Sequence, residues 1–375
     1  MLRPIHEGSL HVIPHIGRLA AIILVAMALP ANALAEVSIE QMAGQMIIVG
    51  FAGNSVAKTE ALRAEIAAGE LGGIMYLKTN ISDLDTVKAM NEAFLAANPA
   101  LPPFITVDQE GGLVERLTKD VGFPETPSAA DIAASMDDVD AGKEYRRMAR
   151  DLAEVGFNVN FGPVADMNVN PNNPVIARFG RSYGSNAIKV MAYNSAFMNA
   201  HHAEGVLTAL KHFPGHGSST TDSHEGFVDI SKTWESFELT PYKQLIQRGA
   251  PVDMVMVGHL YVGDHGDGAD VPSSLSRYWI TDVLRGEIGF AGVVITDDME
   301  MGAVLDHFPL EDRIVRAVNA GVDILLFSNT ARPRASIADD IRAILVKHAH
   351  ADPAFAAKIV ASYGRIVTLK QKLKR

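Results

Sequence analysis

Short apolar runs alternate with stretches of helical spacing along most of the chain. The runs are Met46–Phe51, Gly73–Leu77, Phe104–Asp108, Val159–Val164, Leu207–His212, Met254–His259, Val293–Asp297 and Ile324–Ser328. Each is nearly continuous in Val, Ile, Leu, Met or Phe, as expected of strands buried on both faces of a parallel sheet. Helical spacing fills the intervals, for example at Gly142–Glu154, Ile188–Ala203, Thr233–Arg248 and Ala335–His348. Eight strands, each followed by a helix, predict an α/β single-domain (β/α)8 barrel of the TIM type. A doubly wound open sheet is the alternative, but the Gly-x-Gly-x-x-Gly turn of a dinucleotide fold is missing after the first strand. No Pro/Ser-rich linker or shift in composition divides residues 36–375, which read as one domain ending in one or two helices.

The first 35 residues follow a different pattern. Arg3 and Arg18 precede the apolar run Leu19–Leu29, and the small-residue exit Ala31-Asn32-Ala33-Leu34-Ala35 follows Pro30. This is the layout of a secretory signal peptide, with cleavage expected after Ala35. The run is shorter than the roughly 20 residues of a permanent bilayer span. The expected location is therefore periplasmic or secreted, with no stable membrane association once the signal is removed.

Composition narrows the function classes. Hydrophobic residues make up 48% and charged residues 21% of the 375 positions, an ordinary balance for a soluble domain. The net charge of −11 argues against nucleic acid as a partner, since a polyanion would be repelled. The chain has no cysteine, which removes disulfides, thiolate catalysis and thiolate metal ligands together. The methionines are read as core filler, and His201 and His202, on an expected helix, as surface residues.

Ionisable residues cluster where the expected strands end. Asp108 closes the third run, Asp166 follows the fourth, Lys211 and His212 close the fifth, His259 the sixth, and Asp297-Asp298 the seventh. Barrel enzymes carry their chemistry on this rim. The densest stretch is Lys211-His212-Phe213-Pro214-Gly215-His216-Gly217, which continues to Asp222-Ser223-His224. The Pro-Gly pair ends any strand or helix, so a loop carries these groups. In Asp222-Ser223-His224, the carboxylate can fix the tautomer of the imidazole and raise its basicity, which suits a proton donor and acceptor. An Asx-type turn is the plainer reading of the same triplet. Asp297 ends a buried strand and must be paired or used, whereas Asp298 is expected to cap the next helix. The spacing of His212, His216 and His224 raises a zinc site, but it lacks the helical His-Glu-x-x-His register.

In order along the chain, these motifs resemble family 3 of the glycoside hydrolases, specifically the single-barrel β-N-acetylglucosaminidase branch. The resemblance rests on Asp108-Gln109-Glu110-Gly111-Gly112-Leu113-Val114-Glu115-Arg116, Phe161-Gly162-Pro163-Val164-Ala165-Asp166, Arg181-Ser182-Tyr183-Gly184, the Lys-His-Phe-Pro-Gly-His-Gly run, Ser273-Ser274-Leu275-Ser276 and Thr296-Asp297-Asp298. It implies Asp297 as the nucleophile and His224, oriented by Asp222, as acid and then base. Asp108, Arg116, Arg181, Lys211 and His212 would hold the terminal sugar. By the same resemblance the partner is a small carbohydrate, peptidoglycan fragment or chitooligosaccharide, with no metal and no organic cofactor. Leu113 departs from the arginine usual at its position. A phosphorylase of the same substrates and a non-catalytic amino-sugar-binding protein are the competing readings.

Overall fold

The computed structural model describes residues 37–374 apart from 99, 223–225, 264–266, 268–269 and 332. Residues 1–35, read above as a signal peptide, and His224 lie outside the described residues. Eight strands, β1(Ile47–Gly50), β2(Gly73–Met75), β3(Phe104–Val107), β4(Val159–Asn160), β5(Leu207–Phe213), β6(Met254–Val257), β7(Val293–Thr296) and β8(Leu325–Phe327), run in the order β7-β6-β5-β4-β3-β2-β1-β8. Every pairing is parallel, and a parallel bridge between Ile295 and Ile324 joins the two ends of the sheet. The sheet is thus a closed barrel with sequential strand order, which excludes the doubly wound alternative. Every strand residue is buried, which matches the uninterrupted apolar runs.

Local chemistry fixes where the helices begin. Ser38 and Gln41 form a reciprocal capping box on Ile39–Gln45, Asp137 accepts from Asp140 N at the start of Asp138–Glu154, and Asn186 accepts from the backbone of Ile188 and Lys189. The expected helix 233–248 is split into a tight turn, Ser236–Leu239, and a helix, Thr240–Gln247, because Pro241 starts a new helix. The expected fourth strand is cut to two residues. Gly162 and Pro163 interrupt the regular ladder there, and pairing resumes at the bridge between Val164 and Lys211.

Two carboxylates at the N-terminal ends of strands fasten the outer helices to the barrel. Asp253, before β6, takes His202, Lys372 Nζ at 2.7 Å and Thr208 N at 3.1 Å. Asp323, before β8, takes Arg285 Nη2 at 2.7 Å, Arg365 Nη2 at 2.7 Å and Ser362 Oγ at 2.8 Å. This end of the barrel is bound up in structural ion pairs, leaving the opposite rim for chemistry. Among the described residues no helix is long and apolar enough to cross a membrane.

His201 corrects the surface expectation, since it is fully buried. The helix Ala187–Ala203 packs against Asp138–Glu154, β5 and Thr240–Gln247, so it is enclosed on several sides and its histidines are not on a free face. The His201 ring meets Phe197 O at 2.9 Å and Asn160 Nδ2 at 3.0 Å. A carbonyl can only accept and an amide N–H only donate, so Nδ1 carries the proton and Nε2 accepts. Burial pushes the ring's pKa down from 6.5 to about 3. The unfolded chain binds this proton near pH 6.5 and the folded chain does not, so stability falls as pH drops below 6.5. The slope for one ring is about 1.4 kcal/mol per pH unit. Urea unfolding of wild type and His201→Gln between pH 6.5 and 4.5 should show a shallower acid decline in the variant. Parallel declines would contradict the burial of a neutral ring.

Candidate active site

The loop after β3 doubles back on itself to set three side chains. Gly111, at φ 102°, makes the reversal, a backbone region other residues rarely enter. Gln109 then pins the returning strand: its Oε1 accepts from Arg116 N at 3.0 Å and Leu117 N at 3.1 Å, and its Nε2 donates to Leu117 O at 2.9 Å. Asn160 on β4 holds the Gln109 backbone on both sides. Asp108, Glu110 and Arg116 therefore face the barrel mouth together. Leu113 is 70% exposed, while its neighbour Val114 lines the pocket.

In a regular strand, Lys211 and His212 would point to opposite faces. Here the β5–β6 register shifts between Leu210 and Phe213, and both side chains line the same pocket. Lys211 Nζ donates to Asp108 Oδ1 at 2.8 Å and lies 2.7 Å from Glu110 Oε1. Arg181 grips Glu110 with two bonds of 2.8 Å, and Arg116 reaches Asp108 Oδ2 at 3.0 Å. Burial alone would raise both carboxyls, but the cations overcome it: Lys211 and Arg116 hold Asp108 below its ordinary value, as Arg181 and Lys211 do Glu110. Burial disfavours the Lys211 charge, yet Asp108 and Glu110 keep its pKa raised. Three cations against two carboxylates leave the cluster with a surplus of donors facing the pocket.

Asp166 organises the histidines beside it. Its Oδ2 lies 2.7 Å from His212 Nδ1, and its Oδ1 accepts from His216 N at 2.8 Å. Arg181 Nη2 is 3.3 Å from His212 Nε2. With a carboxylate on one nitrogen and a guanidinium donor on the other, His212 is the Nδ1–H tautomer, its Nε2 turned toward the pocket as an acceptor. His216 bonds Ser219 Oγ through Nδ1 at 2.7 Å, and burial lowers its pKa to about 4. The loop then passes so close to Met167 that a Cβ on Gly217 would fall 1.7 Å from Met167 O, so only glycine fits. Asn173 Nδ2 clamps the same turn by donating to His216 O at 2.7 Å and Gly217 O at 3.1 Å. Beyond this clamp Asp222 reaches the pocket wall.

Opposite, β7 delivers Asp297, whose backbone N–H is bonded to Val257 O at 2.9 Å. Asp298 does not cap a helix. Its Oδ1 accepts from Glu300 N at 3.0 Å and from Ser328 N at 2.8 Å, joining the ends of β7 and β8. Burial, with Asp297 adding to it, pushes the Asp298 carboxyl up to about 6. His259 steadies the same turn: it donates through Nε2 to Asp298 O at 2.9 Å, and Nδ1 meets Ser274 Oγ at 2.6 Å. The Ser273–Ser276 motif thus acts on the rim through His259.

These side chains surround one cavity of about 430 Å³. Of the residues expected at the site, Asp108, Arg116, Arg181, Lys211, His212, Asp222 and Asp297 all line it, and His224 lies outside the described residues. Glu110 was missed as a site residue, although it stands inside the Asp-Gln-Glu-Gly-Gly motif. Asp166 was noted on the rim, but its hold on His212 was not foreseen. Met256, Met301 and Leu326 supply an apolar wall.

Residues 38–363 match the model of the glycosyl hydrolase family 3 N terminal domain. The chain belongs to glycosyl hydrolase family 3. It is 32% identical over 328 residues to beta-hexosaminidase A of Pseudoalteromonas piscicida, covering 82% of this chain and 54% of that relative. Its fold superposes on the family 3 beta-N-acetylglucosaminidase of Paenibacillus sp. str. FPU-7 with a TM-score of 0.80 at 32% identity, covering 90% of this chain and 63% of that one. The beta-N-acetylhexosaminidase of Beutenbergia cavernae DSM 12333 superposes with a TM-score of 0.78 at 30% identity, covering 90% of this chain and 99% of that one. The chain therefore spans about half of the first relative and nearly all of the last.

The charge cluster makes a stability prediction. Lys211→Met would leave Asp108 and Glu110 buried without the cation between them, at an expected cost of about 3–5 kcal/mol. Adding Asp108→Asn should recover part of that loss. Denaturant midpoints read both effects, and a loss below about 1 kcal/mol would contradict the cluster's role.

Proposed function

We propose that this chain is a retaining exo-β-N-acetylglucosaminidase, acting on terminal β-linked N-acetylglucosamine of peptidoglycan fragments or chitooligosaccharides outside the cytoplasm. The observation that carries this reading is that one cavity holds Asp297, Asp222 and the whole Asp108–Arg116–Arg181–Lys211–His212 donor set. Acceptors and donors packed on one side of a pocket of about 430 Å³ suit a single sugar ring bound by its hydroxyls, which favours removal of terminal units. The apolar wall of Met256, Met301 and Leu326 suits a methyl-bearing substituent such as an acetamido group. The names of the relatives point to the same substrate class, and the N-terminal pattern Arg3–Ala35 supports export.

In the first step the Asp297 carboxylate attacks the anomeric carbon, and the bond to the leaving oxygen breaks. That oxygen takes a proton from the His224 imidazolium, which Asp222 orients. In the second step the neutral imidazole removes a proton from water, the water oxygen attacks the same carbon, and the bond to Asp297 breaks. Two inversions retain the configuration. Acid–base assistance of this kind contributes typically about 10²–10⁴ in rate. Asp108, Arg116, Lys211 and His212 keep the ring in register with Asp297; Asp108 is bonded to Arg116 and Lys211, and His212 to Asp166 and Arg181, so little reorganisation is needed on binding.

The test compares aryl β-N-acetylglucosaminide with aryl β-glucoside, alongside Asp297→Ala. The acetamido substrate should be cleaved far faster, and Asp297→Ala should lose about 10³-fold or more in kcat with an unchanged circular dichroism spectrum. Equal rates on both sugars would overturn the substrate assignment, and an active Asp297→Ala would overturn the nucleophile. Release of sugar 1-phosphate as the main product in phosphate buffer would make the enzyme a phosphorylase.

A further inference from the structure

One buried acid near the pocket has no part in the chemistry above. Glu238, in the tight turn Ser236–Leu239, is 1% exposed. Its Oε1 accepts from Glu235 N at 3.4 Å, while Oε2 is unbonded among the described residues. Two neighbouring hydroxyls, Ser218 Oγ and Tyr242 Oη, are buried and unbonded there as well. The charged neighbour of Glu238 is Asp166, of the same sign. Glu235, Lys232 and Lys243, the other charges of its own segment, are exposed, and burial keeps His216 neutral. Burial pushes the Glu238 carboxyl up to about 7; Ser218 and the Glu235 N–H pull against it, and Asp166 adds to it.

The chain leaving β5 rests on this acid. Gly215 turns there at φ 125°, and a Cβ on it would lie 3.0 Å from Glu238 Cβ and 3.3 Å from Oε2. The same Cβ would lie 3.5 Å from Trp234 Nε1, which donates to Pro214 O at 3.2 Å. The turn is also joined to the pocket. His216 N donates to Asp166 Oδ1 at 2.8 Å, and Asp166 Oδ2 lies 2.7 Å from His212 Nδ1. One short turn thus separates Glu238 from the carboxylate that fixes a pocket-lining imidazole.

We propose that Glu238 is a positioning residue: its neutral carboxyl seats the Pro214–Ser218 turn, and its ionisation loosens that turn and weakens sugar binding at His212. The seating stands apart from the glycosidase reading above, whereas the sugar-binding half rests on that reading and deepens it by naming its regulation. An ionised Glu238 is a buried charge beside Asp166, and hydrating it requires the turn to lift off Ser236–Leu239. Lifting draws His216 N away from Asp166, whose grip on the His212 ring then slackens. The seated turn keeps the proton up to about pH 7, and a lifted turn, with Glu238 in water, releases it near 4.5. Seating is therefore strongest in acid, weakens as pH rises toward 7 and levels off above it. The gap between the two values caps the loss at about 300-fold.

The test follows tryptophan fluorescence, and N-acetylglucosamine binding by calorimetry, between about pH 5 and 8.5 in wild type, Glu238→Gln and Glu238→Met. Trp234 reports the turn directly, and Trp279, the chain's other tryptophan, lies 5.2 Å from it ring to ring. Wild-type fluorescence should titrate with a midpoint at or below about pH 7. Both variants, which carry no ionisable group at this position, should lack that transition. Across the range the wild-type dissociation constant should rise about tenfold more than that of either variant. Flat wild-type fluorescence, or a transition of the same size and midpoint in both variants, overturns the inference. So does a dissociation constant that rises equally in all three proteins. Absence of N-acetylglucosamine binding at every pH overturns the glycosidase reading instead, and the fluorescence still decides how the turn is seated.

Discussion

Asp108 and Glu110 can stay ionised and buried at the mouth of this barrel because Lys211 sits between them and two arginines cover their remaining oxygens. Each carboxylate alone would be neutralised by burial, and Lys211 alone would lose its proton. Together they form a rigid polar floor. The members come from the loop after β3, from β5 and from the segment after β4, so the cluster also fixes how those parts of the chain meet. A pocket built this way has its hydrogen-bonding directions set before any ligand arrives, the arrangement that electrostatic preorganisation requires.

The two ends of the barrel use the same residue types for different ends. Asp253 and Asp323 precede their strands and are fully engaged by Lys372, His202, Arg285 and Arg365, tying helices to strands. Asp108, Asp166, Asp297 and Asp298 follow their strands and act on the pocket or on groups that line it. Asp166 and His259 illustrate the second kind of rim residue. Neither is offered as a sugar ligand, yet one sets the tautomer of His212 and the other braces the turn behind Asp297.

All eight strands were legible because each is buried on both faces, and an apolar run is then nearly a necessity. The rim residues were legible for the same reason: a charge at the end of such a run stands out. What the pattern did not carry was partnership. Nothing in the order of residues says that Glu110 would share Lys211 with Asp108, since that contact depends on the loop reversal at Gly111. The register shift that turns both Lys211 and His212 inward is likewise a property of two paired strands. His201 misled for a related reason, because a helix enclosed on several sides leaves a histidine no exposed face. Asp298 bonds across to Ser328 and so closes β7 onto β8, a role that the spacing of a cap could not reveal.

The claim on which most depends is that the charge cluster and Asp297 address one sugar ring from two sides. A crystal structure with N-acetylglucosamine bound tests it most directly. The expected result is a ring whose hydroxyls lie within hydrogen-bond distance of Asp108, Arg116, Lys211 and His212, with the anomeric carbon turned to Asp297. A sugar seated outside this pocket, or held with its anomeric carbon away from Asp297, would contradict the claim.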